Sequence, residues 1–158
     1  MTMSSLQAAV DSSVLVALLN PQDLWRTQAA NLQAALLSTG VELLYFDCVV
    51  TEAISAATRR LYEKSDWANV DALLNRLMKQ VPLDTITWIF PEVQRMYPTV
   101  IDLMRASKGA LNFNDALIAL ACRERGIPAV ASFDADFDSI DWLQRLSSPE
   151  DLAASEST

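Results

Sequence analysis

The apolar positions of this chain alternate between short continuous runs and longer stretches where they recur every three or four residues. The runs at 6–10, 41–46 and 127–133 have strand length, and that at 41–46 is nearly continuous, as parallel strands covered on both sides are. An apolar helical run follows the first and is broken by Asn20-Pro21. A second helix is predicted from near Asp23 to Ser38-Thr39-Gly40, with Trp25, Ala29, Leu32 and Leu36 on one face. Asp47 can open a third helix, whose core face is Val50, Ile54, Ala57 and Leu61, and Trp67, Val70, Leu74 and Leu77 mark a fourth. Alternation over 82–88 predicts another strand. Val93, Met96, Val100, Ile101 and Met104 then define a helix that Pro98, lacking an amide hydrogen, is expected to kink or restart. Asn112 begins a further helix with a capping-box spacing to Asp115. That helix is apolar all round from Ala116 to Cys122 and closes at Gly126. Residues 142–146 predict a short edge strand. The four tryptophans all fall at core-like positions of these elements and read as packing residues.

Strands alternating with helices imply right-handed crossovers and a parallel sheet flanked by helices. No internal repeat or linker interrupts the pattern, so one domain is expected over 1–146, with 147–158 a polar tail that frays. A chain of 158 residues can bury about two-thirds of its unfolded surface. Three glycines are too few for an all-β fold full of tight turns.

Charge and chemistry narrow the function. A formal net charge of −8 repels phosphate backbones overall, so a nucleic-acid substrate would need a local basic patch and a cation. Cys48 and Cys122 stand isolated in apolar surroundings and read as reduced core residues of a cytoplasmic protein. No basic residue precedes Arg26, so the signal-peptide start is missing, and no wholly apolar run is long enough to span a bilayer. The chain has no histidine, which excludes a histidine base and imidazole-bound zinc. Carboxylates acting with a hard cation remain.

Several acids are candidates. Asp11 ends the first strand, where ligands bind in open α/β sheets, although capping the next helix is an equally ordinary role for it. Asp115 sits in the first turn of an otherwise apolar helix, among Phe113, Leu117 and Ile118, where an unpaired carboxylate is costly to desolvate. Asp134 and Asp136 follow the last buried strand and suit either a turn or a metal-facing loop. Glu52 lies across the third helix from its predicted core stripe, as a solvated residue would, and Asp47 competes with it. Arg59, Arg60, Arg105 and Lys108 are basic residues near these acids and are candidates for contacting a phosphate backbone.

With Asp11-Ser12-Ser13-Val14-Leu15, Thr51-Glu52, Asn114-Asp115-Ala116-Leu117-Ile118 and Phe133-Asp134-Ala135-Asp136-Phe137 in this order, residues 6–146 resemble a PIN domain, in particular the small toxins of type II (VapBC) toxin–antitoxin modules. The resemblance implies a three-layer α/β/α sandwich with a central, mostly parallel sheet of four to five strands. It implies a cluster of acids, Asp11, Glu52, Asp115 and Asp134, assisted by Asp136 and Ser13, that binds Mg2+ or Mn2+ and hydrolyses RNA without a histidine or covalent nucleophile. It also implies a homodimer held inactive by a small antitoxin protein. A PIN-like nuclease of RNA processing outside such a pair, and a non-catalytic PIN-like binding module, stand as alternatives. A receiver-like signalling domain would need a late lysine, and none follows Lys108. A two-aspartate phosphatase would need an acid where Ser13 stands.

Overall fold

A computed structural model describes residues 6–155. The chain runs β1 (Gln7–Val10), α1 (Ser12–Leu19), α2 (Arg26–Ser38), β2 (Glu42–Phe46), α3 (Asp47–Glu63), α4 (Val70–Gln80), β3 (Ile86–Thr87), α5 (Phe90–Ala106), α6 (Phe113–Arg125), β4 (Ala129–Ala131), β5 (Gln144–Leu146) and α7 (Glu150–Ser155). The five strands form one parallel sheet in the order β3-β2-β1-β4-β5. Its helices α1 to α4 pack among themselves, while α5 packs on α6. Parallel strands require crossovers, and reversing the direction of travel after β3 sends α5 and α6 to the opposite face. The result is the expected α/β/α sandwich.

The two central strands explain why their runs are continuous. Ala8, Ala9, Val10, Ala129, Val130 and Ala131 are all buried, as strands with helices on both sides must be. Phe46, Leu15, Leu117, Ile118 and Phe137 fill the layers around them without solvent exposure, each worth roughly 1.5–3 kcal/mol of apolar burial. Cys48 and Cys122 are free and buried, and burial pushes both thiols up to about 12. Among the described residues, no helix is long and apolar enough to cross a membrane.

Several expectations are corrected. Pro98 does not restart the helix, since α5 continues through it. Pro98 lies on the exposed side while Met96 and Val100 stay buried on either side of it, so water can serve the freed carbonyl. Within the strand expected over 82–88, Leu83–Thr85 form a 3-10 turn, leaving a two-residue β3. The tail does not fray from residue 147. Asp151 Oδ2 accepts the backbone amides of Ser147 and Ser148 at 2.7 and 3.0 Å, and Leu152 packs on the core. Only residues 156–158 of the expected tail lie outside the described ones.

Three tryptophans are not core residues. Trp25, Trp67 and Trp88 are 52%, 65% and 53% exposed. Trp25 and Trp67 precede the regular part of their helices, so the helical period read through them does not apply, and α4 instead buries Leu73 and Leu77.

Candidate active site

In the order 3-2-1-4-5 the sheet changes direction between β1 and β4, and the crevice outside their carboxyl ends is where such folds bind ligands. The two ends are tied together, since Asp11 N donates to Ala131 O at 2.9 Å. Asp11 precedes α1 with extended backbone, yet its side chain makes no helix cap. Its Oδ2 accepts Ser13 Oγ at 2.8 Å and Ser132 Oγ at 2.7 Å. Each hydroxyl also accepts an amide: Ser13 Oγ from Phe133 N at 3.1 Å, and Ser132 Oγ from Asp134 N at 3.0 Å. A hydroxyl has one proton to give and lone pairs to receive, so these two serines lock the β4 loop onto Asp11. Asp11 is 3% exposed, and no buried side-chain oxygen among the described residues lacks a partner. Its other oxygen, Oδ1, therefore opens to the crevice.

Asp115 combines two roles that the sequence sets as alternatives. It completes the capping box of α6, donating its amide to Asn112 Oδ1 at 2.9 Å and accepting Asn112 N on Oδ2 at 3.3 Å. It also faces the crevice while only 7% exposed. Desolvation pushes its carboxyl up to about 7. The negative charge of Asp11 adds to this, as do Asp134 and Glu52, and the Asn112 amide opposes it.

Glu52 belongs to a stripe of α3, with Ala56 and Arg60, that faces the crevice at i, i+4 and i+8. Its Oε2 accepts Asn114 Nδ2 at 3.3 Å. Asp134 caps the 3-10 turn Ala135–Ser139 by accepting Asp136 N on Oδ1 at 2.9 Å. Asp11, Glu52, Asp115 and Asp134 thus line one cleft of about 400 Å³, together with Ser13, Asn112, Trp25 and Phe133. Asp136 is exposed and outside its walls. Asp47 stays away altogether, its carboxylate held by Cys48 N, Ile89 N and Phe90 N. Of the four basic candidates, Arg60 alone enters the cleft wall. Arg59 pairs with Glu63, Arg105 pairs with Asp102, and Lys108 is exposed on the α5–α6 connection.

The donor set suits a hard divalent cation. Each of the four carboxylates engages one oxygen with a protein donor and leaves its other oxygen outside those bonds. All-oxygen ligation is what Mg2+ and Mn2+ prefer. As they stand, the acids line the cleft without closing on a point, and among the described residues no three form a ready-made metal cage.

Residues missed from the sequence are Ser132, Asn114 and Trp25. A lone serine at the end of an apolar run is the available signal for Ser132. Nothing local distinguishes Trp25 from a helix-face residue.

Comparison with curated proteins finds no match. Among solved structures, the VapC20 toxin of Mycobacterium tuberculosis, which cleaves the sarcin–ricin loop, has the same fold. The TM-score is 0.66 at 20% sequence identity, over 85% of this chain and 95% of that one. The family model described as PIN domain matches residues 8–143. That span runs from β1 to the threshold of β5 and contains Asp11, Glu52, Asp115 and Asp134, so the chain belongs to the PIN domain family.

Proposed function

We propose that this protein is a metal-dependent endoribonuclease acting as the toxin of a toxin–antitoxin pair. The observation that carries the reading is the convergence of Asp11, Glu52, Asp115 and Asp134 on one cleft at the sheet's switch point. Desolvation first, and the negative charge of Asp11 and the other acids after it, push the Asp115 carboxyl up to about 7. These four would hold Mg2+ or Mn2+. Such a cation supplies charge neutralisation, water activation and polarisation of the phosphoryl oxygens.

The chain's own residues prepare the site. Ser13 and Ser132 fix the orientation of Asp11, and Asn114 holds Glu52. Arg60 offers a cation to a phosphate in walls that are otherwise acidic. Arg59, Arg105 and Lys108 lie farther out and would serve flanking phosphates. VapC20's action on the sarcin–ricin loop supports an RNA loop as substrate, and its being a toxin of the VapC type supports a small antitoxin protein as partner. A homodimer is the expected assembly.

The test is incubation of purified protein with structured RNA hairpins and Mg2+ or Mn2+. Cleavage is expected, and Asp11→Asn and Asp115→Asn are each expected to abolish it. Unchanged cleavage in both variants would falsify the site assignment.

A further inference from the structure

The loop between α1 and α2 is built around one carboxylate. Asn20 Oδ1 accepts Gln22 N at 3.0 Å, and Asp23 Oδ1 accepts Trp25 N at 2.9 Å, two successive side-chain-to-backbone turns that set the loop's shape. The second oxygen of Asp23, Oδ2, accepts Arg60 Nη1 at 3.2 Å, and the Asp23 side chain is only 12% exposed. Asp23 therefore positions both Trp25 and Arg60, which come from different elements and line the same cleft.

Trp25 stacks on Phe133 with ring centroids 5.2 Å apart and planes 26° from parallel. Phe133 is in turn anchored, since its amide donates to Ser13 Oγ within the Asp11 network. The aromatic pair is thus rigidly tied to the acids. Yet Trp25 remains 52% exposed, and its neighbour Leu24 is 97% exposed. An apolar pair left open beside a polar cleft marks a contact surface.

We propose that Trp25, backed by Phe133, is a stacking platform for one unpaired base of the RNA substrate, with Arg60 beside it for the adjacent phosphate and Asp23 as the residue that positions both. The assignment rests on the ribonuclease reading and narrows it to unpaired nucleotides, because a base inside a duplex cannot offer its face to a side chain. A nucleic acid is favoured over a protein partner by what adjoins the ring. Among the described residues Arg60 is the one cation in the walls of the acidic cleft, and a chain of net charge −8 needs a cation there to admit a phosphate. Stacking tolerates any base, so the platform selects for strand exposure more than for sequence.

The experiment uses the Asp115→Asn protein, expected not to cut, and RNA hairpins whose loop carries an abasic site at one position at a time. Trp25→Ala is expected to weaken hairpin binding roughly 5- to 100-fold, the range of one base–aromatic stack, and Trp25→Phe to weaken it less. One abasic position is expected to weaken the protein that keeps Trp25 by a similar factor and to have no effect in Trp25→Ala. In the cutting protein, Asp23→Ala raises KM with little change in kcat. Asp23→Asn, which keeps an acceptor for Trp25 N, recovers part of that loss.

Equal hairpin affinity in Trp25→Ala and its parent overturns the proposal, as does an abasic effect that persists without Trp25. If cleavage is present and still lost in Asp11→Asn, that failure leaves the ribonuclease reading standing. Absence of both RNA binding and cleavage in the unaltered chain overturns the two together. A Trp25→Ala protein that binds every hairpin normally but no longer binds its small protein inhibitor assigns the platform to a protein partner instead.

Discussion

Asp11 and Asp47 occupy equivalent places. Each follows a buried parallel strand, each begins or adjoins the helix after it, and they are 3% and 1% exposed. Their hydrogen bonds separate them. Asp47 takes three backbone amides on its two oxygens, from Cys48 at 2.9 Å, Ile89 at 3.0 Å and Phe90 at 2.8 Å, and so pins the start of α5 to the β2–α3 junction. Asp11 takes two hydroxyls on one oxygen and leaves the other facing the cleft. The difference arises from the neighbouring strand. Beside β2 lies the short β3, whose chain continues directly into the amides of α5, whereas beside β1 lies β4 at the switch point, where the sheet leaves a crevice. A buried aspartate after a strand is a structural clamp where amides are supplied and a carboxylate left open to the crevice where they are withheld.

Substitution at the two positions tests that contrast most directly. Asp11→Asn keeps the shape of the side chain and should leave the fold intact. Its RNA cleavage is expected to fall by more than roughly 100-fold, the loss that even outer partners of a metal ligand can produce, read in a cleavage assay with Mn2+. Asp47→Ala leaves the Ile89 and Phe90 amides without their acceptor. It is expected to lose about 2–4 kcal/mol of stability in urea denaturation while the folded fraction cleaves normally. A stable Asp47→Ala with impaired cleavage would reverse the roles assigned to the pair.

What the residues alone reveal follows the same physics. Central strands are legible because burial on both faces removes polar residues, as in Ala8 to Val10. The edge strand β3 is blurred because two residues carry no period of their own. Asp115 stands out as an acid in an apolar helix. Asp11 does not, because its distinction from a cap depends on Ser132, a residue 121 positions away. Glu52 is ambiguous since α3 serves two surfaces, one meeting the core and the other the cleft. An acid on the cleft side has the sequence pattern of a solvated residue. Trp25 passes for a core residue because the turns at Asn20 and Asp23 end the helical register just before it.

A smaller effect is expected at Ser132, which is fully buried and supports Asp11 from the neighbouring strand. Ser132→Ala removes one of the two donors to Asp11 Oδ2 and the acceptor of Asp134 N. Cleavage should fall roughly 10-fold, typical of a lost outer partner, and more of the loss should appear in Mn2+ affinity than in the rate at saturating metal. An equal loss at saturating metal would mean that Ser132 acts on something other than the orientation of Asp11.

The mildest prediction concerns the cost of gathering the acids at all. The Asp115 carboxyl, mainly through desolvation and then through Asp11, holds its proton up to about 7 in the folded chain, well above its unfolded range near 4. Between those values the folded state binds more protons than the unfolded one, so stability falls as pH rises through this window. The metal-free protein should therefore melt at higher temperature near pH 5 than near pH 8. Asp115→Asn should flatten that slope and equal or exceed the parent at pH 8, by about 1–2 kcal/mol once screening by water in the cleft is discounted. Added Mn2+ should raise the parent's melting temperature more at pH 8 than at pH 6, because protons compete for the same oxygens, and should do little for Asp115→Asn. Asp47 serves as the control for this argument. Its charge is fully met by amides, so Asp47→Asn should leave the response to Mn2+ unchanged, and a matching loss there would mean that the clamp and the cleft are not separable after all.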